Sequence, residues 1–147
     1  MTIKGIIFDW IGTLYEKGRG PYFFSKRVLE TLAKKYPLVL ISKVNGNLDA
    51  RRQQIEDSGL VSYFKEVIVT KDKTDDLYLS CISKLGISPR ETVIVDDRPV
   101  RGIAVGNSIG CQTFWIQTGE WSFQVPDQET GEPTRRINSV EDLLEIL

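Results

Sequence analysis

Several short stretches of the sequence place acidic or hydroxyl side chains where apolar runs end. The run "GIIF" is followed by Asp9, "LVLI" by Ser42, and "TVIV" by Asp96 and Asp97. Carboxylate oxygens are ligands for hard divalent cations, and hydroxyl and ammonium groups hold phosphate oxygens. An aspartate among them can attack phosphorus and form an acyl phosphate. Together these residue types favour phosphoryl chemistry with a divalent cation.

Two lysines are candidates to complete this set. Lys71 and Lys73 both lie between the third apolar run and the run that ends at Asp96, and the sequence leaves the choice between them open at this point. The chain contains no histidine. Imidazole is therefore excluded as a base or a metal ligand, and proton transfer falls to carboxylates, lysine, tyrosine or water.

The elements that must position these residues alternate along the chain. Five apolar runs of strand length alternate with segments that carry apolar residues at helical spacing. This order predicts an α/β fold, a three-layer doubly wound parallel sheet of about five strands, with ligands bound beyond the carboxyl ends of the strands. The predicted strands are 3–10, 38–42, 66–70, 92–97 and 111–116, and the predicted helices are 24–36, 47–59, 74–86, 99–110 and 138–147.

Composition and charge limit the remaining possibilities. A chain of 147 residues with 41% hydrophobic content predicts a single domain over 1–147. A net charge of −1 argues against general nucleic-acid or membrane binding. With no signal peptide or membrane span expected, the predicted location is cytoplasmic, where Cys81 and Cys111 would be reduced core thiols. The segment 118–136 lacks periodicity and is predicted to be a long loop, mobile or functional.

The same residues, in the same order, resemble the motifs of the haloacid dehalogenase superfamily of hydrolases, most of which are magnesium-dependent phosphatases. The resemblance covers nearly the whole chain. "KTDDLY" matches the family run K-P-x-x-x-Y at Lys73, with Thr74 in place of proline. The matched positions are Asp9, Ile11 and Thr13 in the first motif, Ser42 in the second, Lys73 in the third, and Asp96 and Asp97 in the fourth.

The resemblance implies a role for each of these positions. Asp9 would be the nucleophile, and the phosphoryl oxygens would be held by Ser42, Lys73, Gly12 and Thr13. Mg²⁺ would be bound by Asp9, Asp97 and the backbone carbonyl of Ile11, with Asp96 as a further ligand or as a neighbour that holds the ligands. The substrate would be a phosphorylated small molecule or macromolecule.

Two positions depart from the family pattern. The second aspartate of the first motif, which in family phosphatases protonates the leaving group and later activates water, is Ile11. General acid–base assistance contributes roughly 100- to 10,000-fold in rate, so turnover should be slow without it. A further family acid falls on Gly102, beside Arg101, which should weaken magnesium binding without removing the ligands Asp9 and Asp97.

Some family branches also lack the second aspartate. The phosphonoacetaldehyde hydrolases carry D-W-A-G-T, close to "DWIGT" here, and the haloacid dehalogenases carry D-A-Y-G-T. Both depend on a cap domain, and the segments 12–41 and 43–72 leave no room for one, so neither activity is transferred. An open, capless site favours macromolecular substrates or a local lid, for which we hypothesise the segment 121–136, because of Trp121 and Phe123.

The sequence supports a specialised or weak magnesium-dependent phosphatase with an aspartyl-phosphate intermediate on Asp9. The alternative is a catalytically impaired member of the superfamily that binds a phosphorylated ligand or a protein through the same cleft. Dehalogenation by Asp9 is the least favoured, because no cap would bury the halide and the acidic pair would repel it.

Overall fold

A parallel β-sheet forms the middle layer of the computed structural model, which describes residues 2–147. Six strands pair in the order β5-β4-β1-β6-β7-β8, and every pairing in this sheet is parallel. The strands β2 and β3 form a small separate hairpin after β1. The strands are β1 Gly5–Phe8, β2 Tyr15–Glu16, β3 Gly20–Pro21, β4 Leu38–Lys43, β5 Glu66–Thr70, β6 Thr92–Asp96, β7 Gln112–Ile116 and β8 Arg135–Ile137.

Helices cover both faces of the sheet, which gives the three layers that the sequence predicts. They are α1 Ser25–Ala33, α2 Leu48–Asp57, α3 Asp75–Lys84, α4 Ala104–Ile109 and α5 Leu143–Ile146. Alternate residues of each strand point to opposite faces. Ile6 and Phe8 therefore pack with one core, which includes residues of α1, α2 and α5, and Ile7 packs with the other, which includes residues of α3 and α4.

The predicted fold class is confirmed, and the structure adds one strand that the sequence did not reveal. The short strand β8 lies at the carboxyl end of the predicted loop 118–136 and pairs with β7 at the edge of the sheet. Its first two residues are exposed arginines and only Ile137 is buried. A three-residue strand with one apolar side chain carries too little pattern to be recognised.

The helix predicted at 99–110 begins differently. A π-helical turn, Pro99–Ile103, precedes α4, and Arg101 leaves the helical conformation there (φ −113°, ψ −105°). The amide groups of Arg98 and Gly102 both donate to the carboxylate of Asp96, each at 3.0 Å. The chain therefore wraps around this carboxylate before it can continue as a regular helix.

The predicted C-terminal helix 138–147 is also shorter than expected. A 3₁₀ turn, Val140–Asp142, leads into α5, and Ser139 caps it by accepting from the amide of Glu141 at 3.2 Å. The side chain of Asp142 accepts from the amide of Asn138 at 2.8 Å, which closes this turn.

The start of α3 agrees with the sequence. Thr74 caps the helix by accepting from the amide of Leu77 at 3.2 Å, and Asp75 and Asp76 occupy the first turn, where negative charge favours the helix dipole. Cys81 and Cys111 are buried and unpaired, as predicted. No helix within residues 2–147 combines the length and the apolar character needed to cross a membrane.

A substitution at Gly106 tests how tightly α4 packs on the sheet. A Cβ atom at this position would overlap the side chains of Thr113 and Ile94. We expect Gly106→Ala to lower the free energy of unfolding by about 1–3 kcal/mol, the usual cost of overpacking. Urea unfolding followed by circular dichroism measures it.

The matched control for Gly106 is Gly46→Ala, because nothing lies within 4 Å of a Cβ atom built there. We expect this control to change the free energy of unfolding by less than about 1 kcal/mol. Equal urea midpoints for the two variants would show that α4 does not pack against β6 and β7 as closely as described.

Candidate active site

Asp9 lies just beyond the carboxyl end of β1, in the centre of the sheet. Its amide donates to the carbonyl of Val95 at 3.0 Å, which joins it to the neighbouring strand β6. The carboxylate is 9% exposed. Its Oδ1 accepts from Lys73 Nζ at 2.8 Å, and its Oδ2 accepts from Thr13 Oγ1 at 3.3 Å. The carboxylate is therefore held on both oxygens but still reaches the surface.

Lys73 joins two acidic residues from different strands. Its Nζ also donates to Asp96 Oδ2 at 2.9 Å, and its side chain is only 1% exposed. Burial lowers the pKa of Lys73, but the charges of Asp9 and Asp96 outweigh it and leave the pKa well above its usual value. Lys71 is exposed. Of the two lysines that the sequence left open, Lys73 is the one that lies against the carboxylates.

Both oxygens of the Asp96 carboxylate accept hydrogen bonds from the protein. Oδ2 accepts from Lys73 and from the amide of Gly102, while Oδ1 accepts from the amide of Arg98. A Cβ atom at residue 102 would overlap this carboxylate. The glycine found where the family has an acid thus allows the backbone to close on Asp96. Asp96 thus holds the ends of other elements, and only its Oδ1, which accepts one hydrogen bond, keeps acceptor capacity for a metal ion.

Asp97 faces Asp9 across a turn that only glycine fits. Gly12 has φ +85°, and a Cβ atom there would overlap the Asp97 carboxylate. Burial, then the charges of Asp9 and Asp96, raises the pKa of Asp97 to about 10. The pKa of Asp9 is raised by burial and by Asp96, against the opposing effect of Lys73. A cation between Asp9 and Asp97 would relieve this repulsion.

The donor set here suits a hard divalent cation. Carboxylate oxygens of Asp9, Asp96 and Asp97 lie within 4.8 Å of one another. The carbonyl oxygen of Ile11 accepts no hydrogen bond from any residue in the range 2–147. Two carboxylates and a carbonyl oxygen are the ligands that Mg²⁺ takes, with water completing its shell. Asp9, Asp97 and the Ile11 carbonyl are therefore the groups that fit Mg²⁺.

Ser42 lies at the end of β4, beside β1, and is 1% exposed. Its Oγ accepts from Arg51 Nη1 at 2.7 Å, and the same nitrogen donates to the carbonyl of Lys43 at 3.1 Å. With the hydroxyl oxygen engaged as acceptor, its own hydrogen remains available for donation. Sequence reasoning missed Arg51, whose only signal was its place one turn into the helix that follows Ser42.

Asp9, Asp97 and Arg51 line a cavity of about 490 Å³, whereas the buried side chains of Ser42 and Lys73 lie behind its wall. Ile11 lines it, so no carboxylate stands at the position of the second family aspartate. Apart from Asp9 and Asp97, Glu120 is the one carboxylate of residues 2–147 in its lining. Trp10 is fully buried and donates from Nε1 to Gln54 Oε1 at 2.9 Å. The tryptophan of "DWIGT" therefore belongs to the core, as does Trp115.

The loop after β7 contributes one wall of this cavity. Trp121 lines it, and the guanidinium of Arg98 stacks on the indole ring with its Cζ 3.7 Å from the ring centroid. Arg98 Nε also donates to Gln124 Oε1 at 3.2 Å. Phe123 is 69% exposed and does not line the cavity. The part of the hypothesised lid that reaches the site is therefore the segment around Trp121.

Comparison with known sequences finds phosphatases among the relatives. A pyrimidine 5′-nucleotidase from Streptococcus pneumoniae is 27% identical over 114 residues, which are 74% of this chain and 46% of the relative. A phosphoserine phosphatase from Thermus thermophilus is 22% identical over 133 residues, which are 87% of this chain and 52% of the relative. The chain thus spans about half the length of these relatives.

Solved structures share the fold at low sequence identity. An L-2-haloacid dehalogenase from Xanthobacter autotrophicus has a TM-score of 0.80 and 14% identity, covering 99% of this chain and 98% of that chain. A phosphatase of the same superfamily from Thermococcus onnurineus has a TM-score of 0.75 and 19% identity, covering 98% and 97%. At this level of identity the TM-scores establish the fold alone, so the reaction has to be inferred from the residues of the site.

The family relationship follows from the sequence match itself. Residues 6–116, which span the first strand through β7 and contain all four motifs, match the model of the haloacid dehalogenase-like hydrolases. The chain belongs to this family of hydrolases.

Proposed function

We propose that the protein is a magnesium-dependent phosphohydrolase that forms an aspartyl-phosphate on Asp9. The observation that carries this proposal is the contact of Lys73 with both Asp9 and Asp96, beside the carboxylate of Asp97. Three strand ends supply these groups at the edge of the sheet where open α/β folds bind ligands. The phosphatases among the relatives support the same reaction class.

Each residue contributes through its own chemistry. A carboxylate oxygen of Asp9 forms the bond to phosphorus while the ester P–O bond breaks, and water later cleaves the acyl phosphate. Ser42 donates its hydroxyl hydrogen to a phosphoryl oxygen, and Lys73 holds the Asp9 carboxylate in place. Mg²⁺, held by Asp9, Asp97 and the Ile11 carbonyl, would neutralise phosphoryl charge.

The substrate is proposed to be a phosphorylated small molecule. The cavity of about 490 Å³ in front of Asp9 falls within the usual range for small-molecule sites, about 300–1,000 Å³. Its walls come from the β2–β3 turn, the start of α2, the turn after β6 and the loop around Trp121. These local walls enclose the substrate without a separate cap among residues 2–147.

Ile11 favours a second candidate function, binding without turnover. An isoleucine cannot transfer a proton, so neither departure of an alcohol nor attack by water is assisted at that position. A protein that has lost turnover would still bind a phosphorylated ligand through Ser42, Lys73 and a cation held between Asp9 and Asp97. The two functions differ in whether phosphate is released and whether Asp9 becomes phosphorylated.

Replacement of Asp9 tests the proposed nucleophile. We expect Mg²⁺-dependent phosphate release, measured over a panel of phosphoesters, to fall at least about 1,000-fold in Asp9→Asn, as for other catalytic nucleophiles. Intact mass spectrometry should detect a phosphoryl adduct on the wild type and none on this variant. The exposed Asp57→Asn serves as control. Release that persists in Asp9→Asn would exclude Asp9 as the nucleophile.

Replacement of Ile11 distinguishes weak turnover from loss of turnover. We expect Ile11→Asp to raise the rate of alkyl phosphoester hydrolysis by roughly 100- to 10,000-fold, the usual contribution of general acid–base catalysis. The side chain of Asn has a shape similar to that of Asp but no carboxyl proton to transfer, so Ile11→Asn should give no such gain. Equal rates for the two variants would contradict the role assigned to this position.

Replacement of Asp97 tests the metal site. We expect Asp97→Asn to raise the dissociation constant for Mg²⁺, measured by calorimetry, at least about tenfold, since losing only an outer partner of a ligand costs 10- to 100-fold. Excess EDTA should abolish wild-type phosphate release. An unchanged Mg²⁺ affinity in Asp97→Asn, with Asp57→Asn as control, would place the metal elsewhere.

A further inference from the structure

Five cationic side chains line the cavity in front of Asp9. They come from three regions: Lys17 from the β2–β3 turn, Lys43 and Arg51 from the end of β4 and from α2, and Arg98 and Arg101 from the turn after β6. Among residues 2–147, only three carboxylates, those of Asp9, Asp97 and Glu120, line the same cavity. Positive charge therefore exceeds negative charge in this lining.

None of the five cations is held in an ion pair, although more distant carboxylates act on three of them. No salt bridge within residues 2–147 involves any of them, although Lys73 directly behind Asp9 has two. Burial is the main cause that lowers the pKa of Lys43, of Arg51 and of Arg98, and the charge of Arg101 lowers each of them further. Carboxylates oppose this shift only in part: Asp72 for Lys43, Asp9 for Arg51, and chiefly Asp97 for Arg98. The cations repel one another, and an anion between them would remove that repulsion.

Three of these side chains form a cluster above the end of β1. Lys43, Arg98 and Arg101 line the main cavity and also a second cavity of about 260 Å³, whose lining includes Lys73 and one carboxylate, that of Asp72. Lys43 ends β4, and the two arginines follow β6, the two strands that flank β1. The Lys43–Arg98–Arg101 cluster is therefore built from both sides of the strand that presents Asp9.

A single phosphoryl group does not account for so many cations. It carries about two negative charges at neutral pH. The proposed Mg²⁺ site lies beside Asp9. Arg51 and the hydroxyl of Ser42, which contact each other at the end of β4, are also available to the phosphoryl group at Asp9. The Lys43–Arg98–Arg101 cluster is thus left for a second anionic group on the substrate.

Ile11 limits what that second group can be. An alcohol leaves as an alkoxide unless it is protonated, and its pKa is close to that of water, about 15.7. A phosphate group has a second pKa of about 6, so it leaves as a stable anion without a proton. A site without the proton donor is therefore suited to a leaving group that is itself a phosphate.

We propose that the substrate is a phosphoanhydride, with the terminal phosphoryl group at Asp9 and the departing phosphate held by the Lys43–Arg98–Arg101 cluster. This inference rests on the proposed function and names the substrate class of the same site. The unpaired cations and the apolar Ile11 both point to it independently.

The reaction balances without a general acid. An oxygen lone pair of Asp9 forms the bond to the terminal phosphorus, and the bridging P–O bond breaks with its electron pair on the departing phosphate. Water then adds to the acyl phosphate, which restores the carboxylate and releases phosphate and a proton to the solvent. Without a base at position 11 the second step is the slower one, so the phosphorylated enzyme accumulates.

The test compares four compounds that vary the leaving group and the second anion separately. Inorganic pyrophosphate has both a good leaving group and a second anionic phosphate, and acetyl phosphate has only the good leaving group. 3-Phosphoglycerate has a second anion but an alcohol leaving group, and glycerol 3-phosphate has neither. We expect kcat/KM for pyrophosphate to exceed that for both alkyl esters at least about 100-fold.

Arg101→Gln removes one cation of the cluster. Its matched control is Arg52→Gln, because Arg52 is an exposed arginine of α2 that lines neither cavity. We expect Arg101→Gln to lower the ratio of kcat/KM for pyrophosphate to kcat/KM for acetyl phosphate by about 10- to 100-fold, which corresponds to the loss of one or two hydrogen bonds to a charged group. Calorimetric binding of methylenebisphosphonate, which cannot be hydrolysed, should weaken in parallel, with the circular dichroism spectrum unchanged.

The outcomes separate this inference from the function on which it rests. Asp9-dependent release from the alkyl esters at rates equal to pyrophosphate would overturn the phosphoanhydride alone. So would equal effects of Arg101→Gln and Arg52→Gln, or a preference for a phosphorylated peptide over all four compounds. No phosphate release and no phosphoryl adduct with any compound would overturn both.

Discussion

The burial of Lys73 between Asp9 and Asp96 is the interaction on which the rest of the site depends. A lysine that is 1% exposed is stable only where its charge is paired, and here two carboxylates from adjacent strands pair it. Breaking a buried ion pair by removing one partner typically costs about 3–5 kcal/mol. The helix α3, which begins just after Lys73, is thereby tied to β1 and β6, and the Asp9 carboxylate is held at the surface in one orientation.

The arrangement leaves one unbalanced negative charge among Asp9, Asp96 and Lys73, and burial together with the charges of Asp9 and Asp96 raises the pKa of the neighbouring Asp97. A site with this excess favours a divalent cation, and the cations across the cavity favour an anion. The five cations that line the cavity form no salt bridges with the carboxylates of residues 2–147. In the free protein these positive charges are therefore not paired directly with the negative charges across the cavity. Such separation costs stability and is typical of a binding site, where strained or unpaired groups are retained for function.

Much of the fold could be predicted because its strands are continuous apolar runs. β1 and β4 to β7 were visible for this reason, and Thr74 marked the start of α3. Features that depend on contacts distant in sequence were not visible. The turn at Pro99–Ile103 forms around the Asp96 carboxylate, and Arg51 reaches Ser42 from a helix whose arginines all look like surface residues. The order of the motifs identified the acidic groups, whereas their cationic surroundings required the three-dimensional structure.

The closure of the backbone on Asp96 makes one departure from the family pattern hard to reverse. Any side chain at position 102 would displace the carboxylate that accepts from Lys73, Arg98 and Gly102. An acid at this position would therefore require the turn and the Asp96 side chain to move together. Ile11 lines the open cavity, and its side chain, which also packs against the core, has no buried carboxylate closed on its backbone. A carboxylate at position 11 is thus within reach of a single substitution, whereas one at position 102 is excluded until the surrounding packing changes with it.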